Sequence, residues 1–128
     1  MSLTSPLNRV LGFGSAKEGT GHWWQQRLTA AGLILLGLWF LISFAALDRY
    51  GQADLVTWVG NPFNAVMLIL ASFTLAWHSA LGVQAVIEDY VHGPALKIIS
   101  LVLSKFVHAF LAIAAVLAVL KVALGVSP

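Results

Sequence analysis

The chain contains four histidines, and two of them, His78 and His108, fall inside long apolar runs. His78 is the more informative. It opens the segment His78-Ser-Ala-Leu-Gly82-Val-Gln-Ala-Val-Ile-Glu88-Asp89-Tyr90-Val91-His92. On a helix rising about 1.5 Å per residue, His78 stands roughly 16 Å from Asp89. With Asp89 at a membrane edge, the imidazole sits near mid-bilayer, where ionisable groups are costly and functional by default. At about 100° per residue, His78, Gly82, Ala85 and Asp89 share one stripe. The stripe reads imidazole, no side chain, small side chain, carboxylate. It predicts a groove beside the ring wide enough for a flat macrocycle, and neutral imidazole is an ordinary axial ligand of haem iron. The plainer reading stays open: His78 hydrogen-bonds a neighbouring helix and does nothing else.

Glu88, Asp89 and Tyr90 also have two readings. They are charges and an aromatic at a helix end, as any interface would carry. They also include a carboxylate on the stripe of His78 and a phenol at the same level, a pair able to bind a quinone carbonyl and feed it protons. On the same side, His22 and Arg27 precede the first apolar run. Arg27 is either an ordinary flanking cation or the partner of an anionic group such as a haem propionate, for which a guanidinium has the right geometry. His108 could ligate the same haem as His78 from an antiparallel neighbour, or it could make a polar contact with another helix.

These side chains need helices in lipid to position them. Hydrophobic residues are 59% of the 128 and charged residues 9%, against about 45–50% and about 25% in soluble domains. Mean hydropathy is +0.88. A net charge of +2 is spread along the chain, with no basic cluster and interleaved aromatics to suggest nucleic acid. The absence of Cys excludes disulfides, iron–sulfur ligation and thiol catalysis by this chain. Met1–Gln26 is broken by Pro6, Gly12, Gly14, Gly19 and Gly21, so no cleavable signal is expected there.

A bilayer core needs about 20 apolar residues of helix. The charge-free stretches predict spans over about 28–47, 63–87 and 97–124, after an N-terminal segment over 1–26, in one domain. Asn61-Pro62 and His92-Gly93-Pro94 read as helix starts. Lys105 interrupts the third span; either it snorkels toward the end where that span begins, or the span starts later. The expected fold is an all-α membrane protein, an up-down-up bundle of three transmembrane helices. Arg9, Lys17 and Arg27 before the first span, with Lys97 and Lys105 at the second loop, outweigh Arg49 and Lys121 opposite. That bias places the N-terminus in the cytoplasm or its organellar equivalent.

The run His78-x-x-x-Gly82-x-x-x-Val86-x-x-Asp89-Tyr90-Val91, followed by Pro94 and a last hydrophobic helix, resembles the D-type hydrophobic anchors of succinate dehydrogenase, respiratory complex II. Gly21-His22 shortly before Arg27 and the first span is similar to that family too, and the likeness covers nearly the whole chain. The resemblance implies a membrane anchor beside a second, C-type anchor, the two holding a flavoprotein and an iron–sulfur protein on the cytoplasmic or matrix face. It implies a haem b shared between the anchors and a ubiquinone site where they meet the iron–sulfur protein. By position, His78 matches the axial haem ligand, Tyr90 the quinone-binding tyrosine and Asp89 its neighbouring acid. Arg27 and His22 match the basic residues near the propionates. In the family's commonest form the second axial histidine comes from the C-type anchor. The membrane implied is the bacterial inner membrane, or the mitochondrial one in a eukaryote. His92-Gly93 and Lys105-x-x-His108 lie outside the general pattern.

No residue here could oxidise succinate. Three rival readings remain: a fumarate reductase anchor, a cofactor-free structural or assembly protein, and a small cytochrome b using His78 and His108 together.

Overall fold

The computed structural model describes residues 19–126. Arg9, Lys17 and most of the segment expected before the first span lie outside the described residues. Four helices follow in order: α1 Gly19–Ala45, α2 Gln52–Gly60, α3 Pro62–Tyr90 and α4 Pro94–Ala123. Three of them, α1, α3 and α4, are long and apolar enough to cross a membrane. They run 27, 29 and 30 residues, or about 40–45 Å at about 1.5 Å per residue, against about 30 Å of hydrocarbon. Their ends therefore project beyond the apolar slab. His22, Trp23, Trp24 and Arg27 ride on α1 itself rather than on a segment leading to it.

The helix ends follow local chemistry. Asn61 caps α3, its side chain accepting from the backbone N–H groups of Phe63 at 3.0 Å and Asn64 at 3.4 Å. Pro62 fills the first helical position, where no N–H is needed. At the other end of α3, the Lys97 ammonium donates to the Glu88 carbonyl at 2.7 Å, placing a cation at the negative helix terminus. Pro94 starts α4 after Gly93. Gly125, at φ +66°, ends α4. Its N–H donates to the Val122 carbonyl and that of Val126 to Lys121, the paired bonds of a Schellman turn.

Neighbouring spans are antiparallel. Along α1 and α3, Gln26 meets Gly82, Thr29 meets His78 and Gly32 meets Thr74, so one index rises as the other falls. Along α3 and α4, Gln84 shares a cavity with Leu101 and Ser104, and Ser79 meets His108. The helix α3 packs against both other spans, while α1 and α4 have no mutual packing among the described residues. The three spans therefore stand in a row with α3 in the middle. The core is correspondingly thin: Leu36, Ala65, Leu81 and Ala112 are the buried apolar residues among those described. At the end where α2 lies, Trp39 stacks on Trp58, with Phe40, Phe44, Tyr50 and Phe63 around them. Rings gathered at one end suit a membrane interface.

Lys105 lies well inside continuous α4, exposed, and lines a cavity of about 210 Å³ with Gln84 and Ser104.

Candidate functional site

On α1, His22, Gln26 and Thr29 are spaced i, i+4, i+7 and so fall on one face. Gln26 and Thr29 meet α3 at Gly82 and His78. Thr29 is only 8% exposed, the single buried polar residue among those described. Its Oγ1 lies 3.0 Å from His78 Nδ1, 2.8 Å from the Gln25 carbonyl and 3.2 Å from the Gln26 carbonyl. His78 is half-buried, and its Nε2 makes no hydrogen bond among the described residues.

Two further polar atoms of the same face lack partners. His22 Nε2 and Gln26 Oε1 are buried without a hydrogen bond among the described residues. Arg27, next along the helix, has its guanidinium 5.6 Å from the centre of the Trp23 ring. That stacking extends the charge along the helix surface without pairing it to a carboxylate.

Gly82 faces α1. A Cβ built there would lie 3.7 Å from Gln26 Nε2, because the amide of α1 lies over the glycine. A stripe along α3 describes one helix only; a side chain of α1 reaches its glycine. The 3.7 Å separation is an ordinary van der Waals distance, so a methyl group would also be accommodated beside Gln26.

His108 behaves differently from His78. Its Nδ1 lies 2.7 Å from the Ser104 carbonyl, which can only accept, so Nδ1 carries the proton. Its Nε2, 3.1 Å from Ser79 Oγ, then accepts from that hydroxyl. Both nitrogens are occupied, one on α4 and one on α3. The two histidines face different neighbours, and a haem bridged by both within this chain would require breaking the Ser79 contact. His108 instead borders an apolar cavity of about 480 Å³ with Ser72, Ala76, Leu111 and Ala115.

Asp89 and Tyr90 close α3, and Tyr90 is 77% exposed. Neither side chain has a hydrogen-bond or ion-pair partner among the described residues. Glu88, by contrast, is held twice: Gln84 Nε2 donates to its carboxylate at 2.8 Å, and Lys97 to its carbonyl. The structure thus brings together His78, Thr29 and Gln26. It leaves Asp89 and Tyr90 presented outward at the end of α3, and Arg27 exposed on α1. Sequence reasoning does not single out Thr29, Gln26 or Ser79. The available signal is the i, i+4, i+7 spacing from His22, which puts a hydroxyl on the face of a histidine already marked as unusual.

Comparison with known proteins agrees with this architecture. Residues 1–120 match the family described as succinate dehydrogenase/fumarate reductase transmembrane subunit. The succinate dehydrogenase hydrophobic membrane anchor subunit of Paracoccus denitrificans is 32% identical over 125 residues, covering 98% of this chain and 96% of that one. The protein of the same description from Rickettsia bellii is 39% identical over 85 residues, 66% of this chain and 67% of the relative. The succinate dehydrogenase membrane anchor subunit of Reclinomonas americana is 30% identical over 102 residues, 77% and 85% of the two chains. A three-span chain matched along nearly its whole length belongs to the succinate dehydrogenase/fumarate reductase transmembrane subunit family, on its succinate dehydrogenase hydrophobic anchor side.

Proposed function

We propose that this membrane anchor of succinate dehydrogenase holds a haem b together with a second, C-type anchor and completes a ubiquinone-reducing site. The observation that carries the reading is His78: an imidazole inside an apolar helix, anchored through Nδ1, with Nε2 unpartnered among the described residues. The residues present fit a haem. His78 Nε2 is the ligating atom, and Arg27 with His22 holds the propionates toward the end of α1. Arg27 is exposed on α1, open to an anionic group from outside the chain. The haem, when bound, supplies a one-electron redox centre between the anchors.

Tyr90 donates its phenolic proton to a quinone carbonyl, and Asp89 beside it orients that donor or passes protons to the site. Both are exposed at the end of α3, so the remaining walls of the quinone site come from other subunits. The flavoprotein and the iron–sulfur protein dock on that end, which also fixes the topology: N-terminus and α3–α4 turn on the cytoplasmic or matrix side. The positive charges of Arg27 and Lys97 at this end agree. The membrane is the bacterial inner membrane, or the mitochondrial inner membrane in a eukaryote.

The test is the visible and low-spin ferric spectrum of the purified complex carrying His78→Leu. Loss or alteration of the haem signal is expected. An unaltered spectrum at full haem content removes His78 as a ligand and returns it to helix packing.

A further inference from the structure

We infer that Thr29 is a positioning residue, its hydroxyl setting the tautomer of His78 so that Nε2 is the nitrogen left for a metal. The inference rests on the haem reading of His78 and adds a residue to it. The Thr29 hydroxyl has one proton, and its nearest acceptor is the Gln25 carbonyl, 2.8 Å away one turn back on the same helix. A carbonyl only accepts, so that proton is committed there, with the Gln26 carbonyl at 3.2 Å as a second acceptor. What Oγ1 offers to His78 is a lone pair. The 3.0 Å contact is therefore Nδ1–H donating to Thr29, and neutral imidazole with its proton on Nδ1 has a bare lone pair on Nε2.

Metal-binding histidines generally donate their other ring N–H to an acceptor that fixes tautomer and ring orientation. Thr29 supplies that acceptor from a different helix. The backbone of α1 thereby transmits its position to the ring on α3. Burial helps: Thr29 is 8% exposed, so water does not compete for Nδ1. His108 provides an internal contrast. It holds the same tautomer, through the Ser104 carbonyl, but Ser79 occupies its Nε2. The tautomer alone does not make a ligand; the tautomer with an uncapped Nε2 does.

The experiment uses the assembled complex with Thr29→Val, which keeps the shape and removes the oxygen, and Thr29→Ser, which keeps the hydroxyl. In a haem-free preparation made in a haem-deficient host, with 15N-histidine confined to this chain, wild-type His78 should show protonated Nδ1 and bare Nε2. Thr29→Val should give a mixture of tautomers. In the haem-loaded complex, Thr29→Val should weaken haem retention by about 10–100-fold, the usual effect of losing such a partner, and shift the low-spin ferric signal. Thr29→Ser should restore both. Wild-type His78 protonated at Nε2 would overturn the inference, as would Thr29→Val with unchanged tautomer, haem retention and ferric signal. If Thr29→Val does not assemble, the wild-type tautomer decides alone. The tautomer is read without iron, so it stands apart from the His78→Leu spectrum that tests the haem reading.

Discussion

Tyr90 is the side chain whose removal should speak most directly about the end of α3. It is exposed and has no partner among the described residues, so Tyr90→Phe removes a hydroxyl without leaving a buried group unsatisfied. The expected outcome is a drop in quinone reduction of about tenfold, equivalent to about 1.4 kcal/mol for one lost hydrogen bond to the substrate. Succinate oxidation by a soluble dye that bypasses the membrane site should be spared. Equal loss of both activities would place Tyr90 in docking rather than in quinone binding. His78 is legible in the sequence because an imidazole stands out in a charge-free run. Thr29 and Gln26 are not, because a hydroxyl and an amide near a helix end satisfy many ordinary roles. Their meaning depends on which helix they face, and periodicity along one helix does not carry that information. The same limit applies to Gly82, which Gln26 of α1 approaches.

Among the elements, the long spans are legible from charge-free runs and from their start signals. Asn61→Ala should destabilise α3 by about 1 kcal/mol, as loss of a side-chain cap does; unfolding of the complex in a graded denaturing detergent would measure it. Gly125→Ala should cost about 1–2 kcal/mol, because the left-handed turn closing α4 penalises a Cβ. No change in the unfolding midpoint for either variant would mean that neighbouring subunits, rather than caps, hold those ends. The short helix α2 is absent from the sequence reading. Its nine residues carry no side-chain cap bond, only Asp54 in the first turn to favour the helix dipole. Its stability comes from packing against α3 and α4 and from Trp58 within the aromatic group, contacts that exist only after the spans assemble.

The whole molecule keeps the expected up-down-up order of spans, with α3 packed between the other two. Composition identifies lipid as solvent but does not distinguish a triangle from a row, since lipid and a partner helix both accept apolar side chains. With so few buried residues, the chain made without the other subunits should be cleaved by added protease in detergent at least about tenfold faster than in the complex. That ratio corresponds to about 1.4 kcal/mol of stabilisation against local opening. Equal cleavage rates would show that the row is stable by itself.

The contact from Lys97 to the Glu88 carbonyl reaches across the turn that follows Tyr90. Three residues, Val91 to Gly93, lie between the end of α3 and Pro94, and the ammonium on the first turn of α4 ties the far side. The turn is braced at both feet, like a short arch. On the proposed reading, a docking protein would meet a phenol and a carboxylate whose backbone is already in place, and little ordering entropy would remain to be lost when the membrane and soluble halves join.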